Sequence, residues 1–194
     1  MARTVPRMDE VESQAWLHLV TVLELLPPAL DAQLRRDADL THFEFMVLSV
    51  LRFAPDGTLR MSDLADSTSA TLARLSHVVS RMERRGLVRR TPSPVDKRAT
   101  DVSLADGGRR AVIRATPAHL ETVRALVLDV LEPTQVAALA DIAGRIAAGL
   151  DPEDRFAASI TRAGDPAPGG PADADHGSAG SDDGPASTAR HADR

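Results

Sequence analysis

The sequence predicts a mainly α-helical protein with one small β-hairpin. Over most of residues 9–150 the apolar residues recur at intervals of three and four, the spacing of one helix face. Two short stretches, 87–91 and 99–104, instead show β-branched and apolar residues in partial alternation, with a charged turn-rich loop between them. The chain has no cysteine, so neither disulfides nor thiolate metal sites contribute to the fold.

Composition is that of a soluble globular protein. Of the 194 residues, 43% are hydrophobic and 26% charged, which is enough apolar material for a core. No apolar run approaches the roughly 20 residues that span a bilayer, and the N-terminus lacks the apolar region of a signal peptide. We therefore expect a cytoplasmic protein without membrane contact.

The first helix is predicted from Asp9 to about Arg36. Pro27 and Pro28 lie inside it, and because proline removes a backbone donor and crowds the preceding turn, we expect a kink or a break there. Packing into the core is the simplest role for its apolar face.

Two shorter helices follow. Thr41 and Glu44 have the spacing of a capping box, so the second helix is predicted from Thr41 to Phe53. After a turn at 54–57 and a strand candidate at 59–61, Ser62 is the predicted cap of the third helix.

The fourth helix separates its side chains into two faces. On a wheel of about 100° per residue, the apolar face is centred on Leu75 and contains Leu72, Val78, Val79 and Met82. The other side and its flanks carry small, polar or cationic residues: Ala73, Arg74, Ser76, His77, Ser80, Arg81 and Arg84. Gly86 is the expected C′ residue that ends the helix.

Two further helices complete the predicted fold. The fifth covers about 106–131 with Pro117 inside it, and the sixth begins at Pro133 and ends near Leu150. From Gly164 onward no Leu, Ile, Val or Phe occurs, so this part cannot bury enough surface to offset the entropy of ordering. The predicted organisation is a flexible segment 1–8, dimerisation helices 9–36 and 106–150, a winged helix-turn-helix domain 37–105 and a disordered tail 160–194.

Basic charge is concentrated in the middle of the chain, although the net charge is -5. Residues 59–110 contain 11 Lys and Arg against six acids, whereas 1–58 contain five against nine and 111–194 seven against 13. A basic centre between acidic flanks is typical of a nucleic-acid binder that presents one surface to its target.

The fourth helix and the hairpin together predict a docking surface for double-stranded DNA. A helix that hides one face and offers the other fits the major groove. The predicted contacts on the helix are Thr71, Ala73, Arg74, Ser76, His77, Ser80, Arg81, Arg84 and Arg85, with the earlier residues as base readers and the later arginines as phosphate contacts. The predicted contacts on the wing are Arg89, Arg90, Asp96, Lys97 and Arg98.

The tip of the hairpin suggests a second contact, in the minor groove. Asp96 is expected to hold Lys97 or Arg98 through a charge-assisted hydrogen bond, and a cation held there fits the narrow groove. The alternative is that Asp96 and Arg98 form an ordinary surface pair, worth about 0 to 1 kcal/mol.

Residues 62–104 resemble the MarR family of winged-helix transcriptional regulators. The matching residues are Leu64, Ala65, the stretch from Arg74 to Arg85 with the following Gly-Leu-Val, Pro94, Asp96, Arg98 and Leu104. Ala105 departs from the family pattern, which usually has threonine at the end of the wing. The likeness extends more loosely over about residues 9–150.

The resemblance implies a homodimer with interlocked first, fifth and sixth helices, bound to a roughly palindromic operator. It also implies release from DNA by a small aromatic or anionic ligand, bound between the dimerisation helices and the winged domain. The apolar stripes of the first and sixth helices independently suggest an interface.

Four residues are candidates for such a ligand site: Trp16, His18, His42 and His119. An aromatic wall with a few polar groups is what a pocket requires. The alternative is that Trp16 and His119 only pack or cap helices. The six histidines are scattered without paired spacing, so we expect no metal site and no cofactor.

Two other functional classes were weighed against a DNA-binding regulator. A winged helix can act as a protein-interaction module without its own operator, but eight cations against two acids between Arg74 and Arg98 favour DNA. An enzyme is not expected, because the sequence has no nucleophile triad, Gly-rich phosphate loop or metal cluster.

Overall fold

The computed structural model describes residues 7–151, 153, 155 and 156. That part of the chain contains six α-helices and one small three-stranded sheet. The helices are α1 (Glu10–Ala38), α2 (His42–Phe53), α3 (Met61–Ser67), α4 (Leu72–Arg84), α5 (Asp106–Val123) and α6 (Pro133–Leu150), and the strands are β1 (Thr58–Arg60), β2 (Val88–Pro92) and β3 (Thr100–Leu104). Most of the predicted flexible N-terminal segment and all of the predicted tail 160–194 lie outside the described residues.

Helix α1 is continuous through both prolines, which excludes the predicted break, while the predicted kink stays a prediction. Its N-terminus has a capping box between Asp9 and Glu12, and its C-terminal third buries Leu30 and Leu34. That third packs against α2 and α5. The packing of this apolar face compensates for the missing backbone donors, since most helical stability in proteins comes from tertiary contacts.

The beginnings of the next two helices differ from each other in how they are capped. The capping box of Thr41 and Glu44 on α2 is confirmed. The predicted Ser62 cap of α3 is wrong, because the helix begins at Met61 after an extended Arg60 with no side-chain cap. Arg60 is extended because it is the last residue of β1 and pairs with Asp101 of β3.

The sheet holds the hairpin against the helices. Its order is β1-β3-β2, all antiparallel, with Leu59 opposite Val102 and Val88 opposite Leu104. The predicted hairpin is therefore confirmed. Gly86, at φ 69°, follows α4 in the left-handed conformation expected of a C′ glycine.

The start of α5 lies directly against the beginning of β2. A Cβ atom on Gly108 would lie 2.1 Å from the carbonyl oxygen of Leu87, so a side chain has no space there. The N–H of Ala105 donates to the same carbonyl at 3.1 Å. Glycine at 108 thus lets α5 leave the hairpin at close range.

One continuous core joins these elements. Its fully buried side chains come from the end of α1, from α2, α3, α4, β3 and α5: Leu34, Leu48, Leu64, Leu75, Val79, Val102 and Val112 among others. Pro117 lies inside α5 without ending it, and α5 runs on into a π-helical segment, Arg124–Leu128.

Large apolar side chains outside the core remain exposed on α1, on the end of α5 and on α6. Among them are Leu17, Leu23, Leu126, Val130, Ile142 and Ile146. By length and composition α1 could even cross a membrane, with a mean hydropathy of 1.2 over 18 residues of which 6% are buried. From the sequence, no membrane-spanning stretch is expected. Exposed apolar residues such as Leu17 and Leu23 nevertheless give α1 this hydropathy.

Candidate nucleic-acid interface

Helix α4 has the two faces that its sequence predicted. Leu75, Val79 and Met82 are buried in the core. The hydroxyl of Thr71 accepts the N–H of Arg74 at 3.2 Å and caps the helix. The buried face therefore fixes which side of α4 the solvent meets.

Most predicted contacts of the first half of α4 lie on its exposed side. Thr71, Ala73, Arg74 and His77 are exposed, whereas Ser76 and Ser80 are half-buried. The hydroxyl of Ser80 donates to the carbonyl of Ser76 at 2.8 Å, so it is already engaged within the helix.

Leu72 was predicted on the buried face, and that prediction is wrong. It is 54% exposed. It is the first residue of α4, and the core covers only the later turns of the helix, from Leu75 onward. A helical wheel cannot detect this, since it assumes that each turn has the same neighbours.

Arg74, one of the predicted base readers, stacks on an aromatic ring. Its guanidinium carbon lies 4.5 Å from the centroid of Phe43 on α2. This cation–π contact gives the side chain a defined resting place beside the DNA-facing surface.

Two of the predicted phosphate contacts are joined to acids on other elements. Arg81 donates from Nε to Oε1 of Glu44 at 3.1 Å, and Arg85 donates from Nη1 to the same oxygen at 3.3 Å. Nη2 of Arg85 also donates to Oδ2 of Asp39 at 2.9 Å and to its backbone carbonyl. The second half of α4 is therefore bound to the α1–α2 junction.

Glu44 remains a carboxylate despite its burial. Burial by itself raises the pKa of Glu44, but hydrogen bonds from the N–H and hydroxyl of Thr41, together with the charge and hydrogen bond of Arg81, outweigh it and hold the pKa below its ordinary value. A buried charge with such partners is satisfied rather than strained.

The remaining arginines of this region fall into two groups. Arg90 is bound to Glu83, through its N–H at 2.9 Å and its Nε at 2.8 Å, and these bonds lower the pKa of Glu83. Arg84 and Arg89 are exposed, with no ion pair to any residue that the structure describes. They are free to contact a phosphate backbone.

Asp96 organises the tip of the wing through the backbone. Its Oδ1 accepts the N–H of Arg98 at 3.0 Å, and its carbonyl accepts the N–H of Ala99 at 2.8 Å. Within the described residues Asp96 forms no ion pair with Lys97 or Arg98, so the expected side-chain bond is wrong. The carboxylate of Asp96 instead bonds the backbone of Arg98, and the side chains of Lys97 and Arg98 are exposed.

A cleft of about 340 Å³ separates α4 from the wing. Arg60, Arg90 and Arg98 line it together with Leu72. Arg60 was missed by the sequence analysis, although it belongs to the basic segment 59–110. Only the pairing of β1 with β3 brings it beside the wing.

Comparisons with known proteins agree with this geometry. A family model described as the MarR family matches residues 38–99. The crystal structure of Sco3205 from Streptomyces coelicolor, a MarR family transcriptional regulator in complex with DNA, is 38% identical, with a TM-score of 0.71 over 74% of this chain and 94% of that one. The chain belongs to the MarR family of transcriptional regulators.

Two further similar proteins extend the comparison. AbsC, also from Streptomyces coelicolor, is 31% identical with a TM-score of 0.70, over 75% of this chain and 98% of that one. YdcH of Bacillus subtilis, an HTH-type transcriptional regulator, is 32% identical over 81 residues, which are 41% of this chain and 55% of YdcH. The chain thus spans about half the length of this curated relative.

In this MarR-family chain, a second cavity of about 430 Å³ lies where α1, α2 and α4 meet. Its wall includes Pro27, Pro28, His42, Phe43, Met46 and Arg74. The volume is that of a small-molecule site, and the lining combines apolar and aromatic groups with one arginine, one carboxylate (Asp31) and the hydroxyl residues Thr68 and Ser69.

The structure does not bring the four predicted ligand residues together. His42 lines this cavity, but Trp16 and His18 are exposed near the start of α1. Fifteen residues of helix separate Trp16 from Asp31 at the cavity, a distance of about 22 Å. Within a single chain the four residues therefore do not form one site.

His119 is a packed residue, as the alternative interpretation held. Its ring lies 4.5 Å from that of Phe45 and 5.9 Å from that of His42, and Nδ1 lies 3.3 Å from Oε1 of Gln33. Burial lowers the pKa of His119, and the neighbouring His42 lowers it further. Burial also lowers the pKa of His42, against the attraction of Asp31. The described residues contain no group of three metal-ligating side chains.

We expect stability to fall as the pH drops below about 6.5, the ordinary histidine value. At such a pH, His42 and His119 stay neutral in the folded chain but are protonated in the unfolded chain. The unfolded state therefore binds more protons, and acidification lowers the free energy of unfolding. Thermal unfolding measured at pH values from about 5 to 8 tests this dependence of stability on pH. His119→Gln should flatten the profile, and His18→Gln at an exposed position is the matched control. An unchanged profile in His119→Gln would contradict the assignment.

Proposed function

We propose that the chain is a homodimeric repressor or activator that binds a roughly palindromic operator in double-stranded DNA. The observation that carries this is the exposed face of α4 beside a cleft lined by three arginines and the wing. Such a surface offers one helix to the major groove and cations to the phosphates and the minor groove. The DNA complex of Sco3205 supports it.

Base reading and phosphate contact are assigned to different residues. Thr71, Ala73, Arg74 and His77 would read base edges, with Arg74 leaving the ring of Phe43 to do so. The free cations of α4 and the wing, such as Arg84 and Arg98, would contact the backbone and the minor groove.

Fluorescence anisotropy tests this assignment with two duplexes over a series of salt concentrations. One duplex is the DNA upstream of the gene that encodes this chain, and the other has a scrambled sequence. Arg84→Ala should weaken binding to both duplexes alike and reduce the salt slope by about 1, whereas Arg74→Ala should lower the discrimination by about 1–3 kcal/mol. Arg145→Ala, at an exposed cation of α6, is the control. Binding absent even at low salt would overturn the proposal and favour a protein-interaction module.

We propose that the exposed apolar faces of α1, α6 and the end of α5 form the dimer interface. Within one protomer they enclose an apolar groove of about 540 Å³ lined by Leu25, Leu26, Val130 and Leu139, among others. Exposed apolar surface of this extent usually marks a contact with another chain. A two-fold dimer would present two copies of α4 to the DNA. If a second chain covers α1, this would also explain why a cytoplasmic protein has so apolar a helix exposed in the single chain.

Light scattering coupled to gel filtration tests the dimer. Ile142→Asp places a charge on the apolar face of α6, so we expect it to yield monomers with much weaker DNA binding. Ala137→Asp introduces the same charge on the opposite side of α6 and should remain dimeric. Ile142→Asp that remains dimeric would exclude this interface.

We also propose that a small anionic aromatic ligand releases the DNA by binding the 430 Å³ cavity between α1, α2 and α4. The guanidinium of Arg74 supplies a counter-charge, whereas the one carboxylate of the lining, that of Asp31, is already engaged by Arg35 and by the N–H of His42. A ligand that engages Arg74 would remove a base reader from the DNA, which links the cavity to the interface.

Benzoate is the simplest probe of this chemistry. At millimolar concentration it should lower the DNA affinity of the wild type, while Met46→Trp, which fills the cavity, should bind DNA but no longer respond. Ala137→Trp adds the same bulk at an exposed position of α6, opposite the proposed dimer interface, and is the control. An equal response in Met46→Trp, or no response in the wild type, would contradict an anionic-aromatic site here.

A further inference from the structure

One buried carboxylate serves two parts of the winged domain at once. Oε2 of Glu44 accepts the N–H of Thr41 at 2.8 Å and its hydroxyl at 3.0 Å, which caps α2. Oε1 of Glu44 accepts from Arg81 and Arg85 on α4. The side chain of Glu44 is 1% exposed, whereas that of Arg81 is 50% exposed.

Because its partner is buried, the inner part of the Arg81 guanidinium faces the protein and the outer part meets the solvent. A guanidinium is a rigid planar fork with five N–H donors. The buried carboxylate engages Nε, on the inner side of the fork. The terminal nitrogens are left for another acceptor, on the same helix as the proposed base readers.

We propose that Glu44 is a positioning residue for DNA binding, which holds Arg81 so that its terminal nitrogens engage a backbone phosphate. The inference rests on the proposed DNA-binding function and adds a residue that never touches the DNA. A cation fixed by a buried partner loses less rotamer freedom when it binds phosphate.

Arg85 has a different part in the same network. It bridges Glu44 and Asp39, and its side chain is only 32% exposed. Its two acidic partners occupy both terminal nitrogens. Arg85 therefore ties the end of α4 to the α1–α2 junction and fixes the helix itself, while Arg81 carries the phosphate contact.

Positioning and simple charge make opposite predictions for the loss of Glu44. Removing a negative charge near a DNA-binding helix should strengthen binding if long-range electrostatics alone matters. Releasing Arg81 from its buried partner should weaken binding if orientation matters. The sign of the change therefore separates the two.

The experiment compares Glu44→Gln, Arg81→Ala and the double variant by anisotropy on duplex DNA over a salt series, with circular dichroism confirming that each is folded at the assay temperature. Glu44→Gln should weaken binding roughly tenfold, as expected for one lost charge-assisted contact. Arg81→Ala should weaken it similarly and lower the salt slope by about 1. Adding Glu44→Gln to Arg81→Ala should then change little, because the two act through one contact.

Glu121→Gln makes the same charge change at an exposed position of α5 and controls for net charge. Arg81→Lys keeps the cation but cannot be held by Nε, so it should weaken binding even if Glu44→Gln fails to fold. Binding of Glu44→Gln equal to or tighter than that of the wild type, or wild-type binding by Arg81→Lys, would overturn the inference. A wild type that binds no duplex at low salt would overturn the proposed function itself.

Discussion

The carboxylate of Glu44 holds together the region on which the DNA-facing surface depends. Among the charged side chains that the structure describes, it alone is buried, and it joins the start of α2 to the last turns of α4. Isolated in a protein interior, such a charge would be costly, but four hydrogen-bond donors surround it. The rest of α4 packs into the core through apolar side chains, which constrain the rotation and sliding of the helix less than directional bonds do. The ion pairs supply that directional constraint.

The same junction contains the cavity and the resting place of Arg74. Phe43, one residue before Glu44, stacks with that guanidinium, while Glu44 holds Arg81 two turns further along α4. The first turn of α2 therefore contacts α4 twice, near the beginning of α4 through an aromatic ring and near the end of α4 through a carboxylate. A displacement of α2 would move both contacts together, so in the proposed ligand response α2 is the element that would link the cavity to the DNA-facing surface.

The apolar residues of the chain form two groups, one buried in the core and one exposed. Those of α2, α4, β3 and the middle of α5 form the core of the winged domain. Those of α6 and the first turns of α1 remain exposed in one protomer. Both groups have the same helical periodicity, so periodicity predicts an apolar face without telling which surface covers it.

Local sequence alone determined the helices, the hairpin, the capping box of Thr41 and Glu44, and the two faces of α4, because spacing and capping chemistry act over a few residues. The basic segment and its resemblance were also enough to predict the MarR family. Only the tertiary structure decided which arginines are free, since Arg81, Arg85 and Arg90 are bound to acids on other turns and elements whose proximity no spacing reveals. The tertiary structure also leaves Leu72 exposed, places Arg60 beside the wing and keeps Trp16 far from His42. Each of these depends on distances between segments far apart in the chain, and such distances are set by packing rather than by local preference.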